Sequence, residues 1–203
     1  MTERHWEAVY QGNALGDMSW HELFPATSLK LIADACLSSD DPIIDVGGGG
    51  SRLVDELIAA GYRDLSVLDI SSAILWQLEE RLRHSAARVM LLNQDVAAFY
   101  PTRHYALWHD RALFHFLVKR AERERYFNAL RRALRRGGHL IMSVFGPRGP
   151  EECSGLPTAR YGALDLAAEL GKGFELIESQ LLLHRTPRNA LQQFLYCRFF
   201  RRS

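Results

Sequence analysis

Asp45, Asp69 and Asp95 each stand where a short apolar run stops, and Asp45 is followed, one residue on, by the four glycines Gly47 to Gly50. Asp69 lies 24 residues after Asp45, and Asp95 lies 26 after Asp69. Carboxylates in this rhythm beside a glycine turn suit the binding of a small polar molecule. An acid at the second position can accept hydrogen bonds from both hydroxyls of a ribose, as dinucleotide folds do with an acid about 20 residues beyond their glycines. Glycine is required in such a turn because a Cβ would block it and hold a ligand off the backbone.

The glycines fail the dinucleotide pattern itself. G-x-G-x-x-G begun at Gly47 needs glycine where Arg52 stands, and begun at Gly48 it needs glycine where Leu53 stands. No Gly-Lys-Ser/Thr follows, so the phosphate-loop pattern fails too. An NAD-linked oxidoreductase is thereby disfavoured. What remains is Asp45-x-Gly47-x-Gly49-x-Ser51.

The elements that must carry these residues are legible in the periodicity. The run 42–46 reads as a first strand. Leu53, Val54, Leu57 and Ile58 then mark one face of a helix. Residues 65–70 read as a second strand, with Ser71 and Ser72 able to cap a helix over 73–83. Strands are expected at 88–92, 105–109 and 139–145, with a helix over 122–135 closed by Gly137-Gly138. Strands alternating with helices of this length imply a doubly wound parallel α/β sheet. Two β-rich stretches, 174–185 and 192–200, joined by Thr186-Pro187-Arg188-Asn189, read as a hairpin that adds an antiparallel strand. Two short helical patterns, 6–11 and about 26–37, precede the first strand.

Composition narrows the classes. The chain has 203 residues, 47% of them hydrophobic, and a formal charge of +1. No global field favours nucleic acid or a membrane surface. Three cysteines, Cys36, Cys153 and Cys197, are odd in number and far apart, which fits a reducing cytoplasm rather than a disulfide framework. No run approaches the roughly 20 apolar residues of a membrane span, and residues 1–6 lack the apolar core of a signal peptide. The histidines at 104, 109, 115, 139 and 184 show no metal-ligand spacing, so no metal is expected. Arg131, Arg132, Arg135 and Arg136 form a basic helix stripe. It reads as a solvated face or, less simply, as contact with RNA or an acidic partner.

The acid-terminated ladder with its glycine loop resembles the class I methyltransferases that use S-adenosylmethionine (SAM) and release S-adenosylhomocysteine. Trp108-His109-Asp110-Arg111, Cys153-Ser154-Gly155-Leu156-Pro157 and Tyr196-Cys197-Arg198-Phe199 match a group of small methyltransferase-domain proteins. More distantly, Trp6 to Tyr10 and Ser19-Trp20 are similar to segments of methyltransferase-like protein-lysine methyltransferases. The Asp-Lys-Gly of those enzymes is replaced here by Asp110-Arg111-Ala112. The resemblance implies a Rossmann-like sheet of order 3-2-1-4-5-7-6 with the last strand antiparallel, in one domain over 1–203: N-terminal lid helices in 1–40, then a SAM-binding core. It implies that Asp45 orients the loop or meets the SAM amino group, and that Gly47 and Gly49 face the methionine tail. Asp69 would bind ribose with Ile70 against adenine. Asp95 would bind the adenine amino group with Val96 on the ring. His109 would offer a backbone contact.

The acceptor would lie beyond strand four, where the chain offers His109, Asp110, Arg111 and His115. Asp110 could hold an ammonium or take its proton, and His109 or His115 could act as a general base near pH 7. Asp110 reads equally well as a helix N-cap ahead of 111–118, and His115 as a packed residue. No Asn/Asp-Pro-Pro-Tyr/Phe segment is present, which argues against methylation of DNA amines. Trp20 and Tyr10 could face a cation or pack on the sheet edge. Cys153 reads as structural in a loop over the acceptor pocket. The implied function is methyl transfer from SAM to a small molecule or protein side chain, with a SAM-binding regulatory module as the alternative. Whether the chain is a monomer or a dimer is left open.

Overall fold

The runs ending in Asp45 and Asp69 lack the alternation of a half-exposed strand, and the fold explains why. In the computed structural model, which describes residues 2–83, 85 and 88–203, strands β1 (Ile43–Val46) and β2 (Leu65–Asp69) are buried at every position. Parallel strands covered by helices on both faces have no solvent side. β3 (Val89–Asn93) lies at the sheet edge and is only partly covered. β4 (Tyr105–Arg111), β5 (Leu134–Phe145), β6 (Phe174–Arg185) and β7 (Leu191–Arg201) complete a sheet of order β3-β2-β1-β4-β5-β7-β6. β7 runs antiparallel to both β5 and β6, as expected. Its hairpin turn holds Asn189 at φ 66°, with the Thr186 N–H donating to the Ala190 carbonyl at 2.9 Å.

Helices cover both faces. α1 (Glu3–Gly12), α2 (Ala26–Ala33), α3 (Leu53–Ala59) and α4 (Ser72–Leu82) bury Trp6, Ile32, Leu53 and Ile74 on one side. α5 (Arg120–Ala133) and α6 (Ala163–Leu170) bury Tyr126, Leu130 and Leu166 against Trp108 on the other. α1 is fastened over the carboxyl edge of the sheet. Glu7 Oε1 accepts from Ser72 Oγ at 3.1 Å and from the Ala73 N–H at 3.2 Å, satisfying the first turn of α4.

α5 and α2 end earlier than expected, and β5 begins earlier. α5 stops at Ala133, so Gly137-Gly138 do not end a helix but lie inside β5. Tyr105 pairs with Leu134 while Leu107 pairs with His139, so the surplus residues form a bulge, with Gly137 at φ 74°. The helix expected over 26–37 ends at Ala33. Three arginines of the basic stripe are engaged by the fold. Arg131 donates to the Leu170 carbonyl at 3.0 Å, Arg132 stacks over Tyr100, and Arg135 pairs with Asp41 at 2.9 Å.

Candidate functional site

The carboxyl ends of β1, β2 and β4 open onto a half-open recess of about 540 Å³, counted together with the solvent space at its mouth. Its floor is Gly47, Asp69 and Ile70, and one end is Gln94, Asp95 and Val96. The opposite wall comes from the N-terminal segment and the loop after β4: Trp6, Tyr10, Trp20 and Phe116. These rings pack on one another, Trp6 lying 5.9 Å from Trp20 and 5.1 Å from Phe116. A second recess of about 430 Å³ adjoins the first, sharing Trp20, Gly47 and Arg111, and is lined also by Asp45 and His109.

The loop is built for close approach. Gly47 sits at φ 69°, where an L-residue is strained, and a Cβ there would lie 2.7 Å from Leu113 Cδ1. A Cβ on Gly49 would lie 2.5 Å from Ile74 Cγ2 and 3.1 Å from Asp69 Oδ2. Asp69 takes the Gly49 N–H on Oδ2 at 3.2 Å and the Ser71 N–H on Oδ1 at 3.0 Å. Burial pushes its pKa up to about 6, against the pull of those N–H donors. Asn93 donates to the Asp69 and Ile70 carbonyls at 3.2 and 2.9 Å and fixes the path beneath the recess. Asp95 caps the short turn Val96–Ala98, accepting the Ala97 N–H on Oδ1 at 2.8 Å and leaving Oδ2 free of that bond.

The residues expected beyond strand four are divided by the sheet. β4 runs on to Arg111, so His109 and Arg111 face the α1–α4 side while Asp110 faces α5. Asp110 is fully buried and lines neither recess. Its Oδ1 accepts the Leu113 and Phe114 N–H groups at 3.2 and 3.3 Å, and its Oδ2 accepts the Tyr126 hydroxyl at 2.7 Å. Burial raises its pKa to about 6. These bonds turn Asp110 toward the segment entering the turn Phe114–Phe116 and toward α5, away from both recesses.

His115 is likewise taken out of reach. It stacks on Phe145 at 4.1 Å and accepts that residue's N–H at Nδ1, 3.3 Å away. Burial lowers its pKa to about 3, so it is a neutral packed ring at ordinary pH. His109 lines the second recess, with Nδ1 2.7 Å from Asp45 Oδ1 and Nε2 2.9 Å from Ser28 Oγ.

Arg111 ties the N-terminal segment to the sheet, a part its sequence position did not reveal. Its Nη1 donates to the Trp20 carbonyl at 2.6 Å, Nε donates to the Tyr196 hydroxyl at 2.9 Å, and Nη2 lies 2.9 Å from Glu22 Oε1. Trp20 reaches the recess through this anchor. Ser28 and Glu22 carried no sequence signal, since each is an ordinary residue of its segment, and Tyr196 stands out in sequence only as part of the segment 196–199, not as a partner of Arg111. Cys153 is buried, with Sγ 3.6 Å from Ser19 Oγ.

Residues 43–138 match the family model described as a methyltransferase domain. A curated relative, the eEF1A lysine and N-terminal methyltransferase of Bos taurus, is 27% identical over 94 residues, covering 45% of this chain and 13% of that protein. The chain therefore spans a small part of that relative. Among solved structures, one described for conversion of a disulfide bond into a thioacetal group during echinomycin biosynthesis superposes with a TM-score of 0.80. It is 19% identical, and the match covers 99% of this chain and 93% of that one. The 1,6-didemethyltoxoflavin-N1-methyltransferase of Burkholderia thailandensis, solved with bound 1,6-didemethyltoxoflavin and S-adenosylhomocysteine, gives 0.73 at 18% identity over 99% and 84% of the two chains. A SAM-dependent methyltransferase of Methanosarcina mazei gives 0.70 at 16% identity over 89% and 99%.

Proposed function

We propose, from the methyltransferase-domain match over residues 43–138 and the fold shared with solved methyltransferases, that this chain is an enzyme that transfers a methyl group from SAM to a small molecule or a protein side chain. The observation that carries the reading is the placement of Asp69 and Asp95 on one recess and Asp45 on the adjoining one, with the positive-φ Gly47 lining both. The residues present fit the donor. Asp45 Oδ2 is buried without a partner, which suits an α-ammonium group. Asp69 lies at the recess floor with lone pairs left for a ribose diol. Ile70 and Val96 offer apolar faces to adenine beside Asp95. S-adenosylmethionine, once bound, supplies an already activated methyl group. The chain's own work is to align the partners, exclude water and shield the sulfonium with the Trp6, Tyr10 and Trp20 rings.

The acceptor lies against the aromatic wall. By their names, the relatives act on unlike acceptors, a protein lysine or N-terminus in one and 1,6-didemethyltoxoflavin in another, so both classes stay in the proposal. The cytoplasm belongs to the proposal too, on the ground that Cys36, Cys153 and Cys197 are all free thiols. Among the described residues no helix is long and apolar enough to cross a membrane.

Calorimetric titration with SAM and S-adenosylhomocysteine tests the donor. Both should bind, and Asp69→Asn should weaken them about 100-fold, since two hydrogen bonds to a charged acceptor contribute roughly 3 kcal/mol or more. No binding at hundreds of micromolar would defeat the reading. Tritium transfer from SAM into a size-fractionated lysate then separates protein from metabolite acceptors. Binding without transfer to any fraction would favour a regulatory module.

A further inference from the structure

We infer that Ser28 and His109 are positioning residues for the donor's amino-acid end, acting through a buried hydroxyl–imidazole–carboxylate chain that aims one oxygen of Asp45 into the second recess. This rests on the reading that SAM is the donor. Asp45 and His109 are register partners on adjacent parallel strands, so their side chains stand together on one face of the sheet. α2 crosses that face and brings Ser28 to the far side of the ring. Ser28, His109 and Asp45 are 0%, 1% and 4% exposed.

The direction of the chain follows from the groups. A carboxylate only accepts, so His109 Nδ1 carries a proton and donates to Asp45 Oδ1. In the neutral ring, Nε2 then accepts the Ser28 hydroxyl proton. The residue types are those of a hydrolytic triad, but Ser28 Oγ is sealed inside the protein and meets no substrate. The working end is the carboxylate. Asp45 Oδ2 is buried and has no partner. It lies against Gly48, where a Cβ would stand 2.2 Å from it. A buried carboxylate oxygen left unpaired is costly. The cost is removed when a cation docks, and the donor's α-ammonium is the cation that the proposed pose brings there. Without the imidazole, the carboxylate could turn toward the loop N–H groups and the recess would lose its acceptor.

The test uses two ligands on the full chain, S-adenosylhomocysteine and 5′-methylthioadenosine, which shares the adenosine and the thioether but has no amino-acid end. His109→Gln places an amide near Nε2 but no donor near Nδ1. His109→Asn places an N–H near Nδ1. With a charge-assisted hydrogen bond at stake, H109Q should weaken S-adenosylhomocysteine by about tenfold or more while leaving 5′-methylthioadenosine within about twofold. H109N should restore most of the loss. Ser28→Ala, which removes one buried atom, should weaken S-adenosylhomocysteine alone by about threefold, and it carries the test if H109Q does not fold. Equal weakening of both ligands, or H109N no better than H109Q, overturns the positioning role and leaves the donor reading intact. A wild-type chain that binds neither ligand overturns the donor reading and this inference together.

Discussion

Asp110→Asn separates a buried carboxylate that holds the Leu113 and Phe114 N–H groups from the proton acceptor that its sequence position suggests. The substitution is nearly isosteric. The amide oxygen can still accept the Leu113 and Phe114 N–H groups, which lie 3.2 and 3.3 Å from Oδ1. What is lost is a buried charge whose pKa stands at about 6, raised from 3.8 by burial. Because the folded value is raised, the unfolded chain releases this proton first as pH rises. Asp110 therefore subtracts from stability above pH 6, and that penalty fades as pH falls toward 4. With those two pKa values the penalty grows by about 2 kcal/mol between pH 4.5 and pH 7.5. Subtracting the two proteins' unfolding free energies at each pH cancels other groups, notably His115, whose lowered pKa of about 3 acts in the opposite sense by withholding stability below pH 6.5. Urea unfolding of both proteins at pH 4.5, 6.0 and 7.5 measures the difference. The variant should gain on the wild type as pH rises, offset by a constant term because the amide cannot accept the Tyr126 hydroxyl proton. Turnover should stay within about threefold, as expected of a group that touches no substrate. A pH-independent difference would refute the buried-charge argument. A thousandfold loss of turnover with the fold intact would refute a purely structural role.

Three further outcomes are expected. Gly47→Ala places a side chain at φ 69° and 2.7 Å from Leu113 Cδ1. It should cost about 1–2 kcal/mol, or roughly 2–8 °C in Tm, and should weaken S-adenosylhomocysteine at least about tenfold; calorimetry showing unchanged affinity would remove the loop from the site. Arg111→Lys keeps the charge but cannot reach Trp20, Glu22 and Tyr196 with one fork, so residues 1–24 should be cleaved faster by a protease while the rest of the chain is spared. Donor affinity should fall as pH drops below about 6, because Asp69 takes up a proton there and loses an acceptor position; a flat calorimetric profile from pH 7.5 to 5 would place its pKa elsewhere or its ribose role in doubt.

The fold class and the floor of the recess were legible in the chain because their signals are local. Buried parallel strands are mostly apolar runs without alternation, a turn at φ 69° packed this closely on Leu113 favours glycine, and a carboxylate at a strand end stays at the sheet edge wherever the strand goes. Asp45, Gly47, Gly49, Asp69 and Asp95 meet at the edge for these reasons. Aspartate and histidine beyond strand four could not be sorted in the same way. His109, Asp110 and Arg111 are neighbours in sequence, but the pleat sends Asp110 to the opposite face, and where the strand ends decides whether that rule applies. Only the packing of α2 over the sheet brings Ser28 to His109. Only the course of residues 18–25 brings Glu22 and the Trp20 carbonyl to Arg111. The sequence by itself determined a glycine turn flanked by acids at strand ends, since backbone geometry dictates it residue by residue. The tertiary structure decided which acids and imidazoles face the recess and which are sealed in the core, since that depends on contacts between segments far apart in the chain.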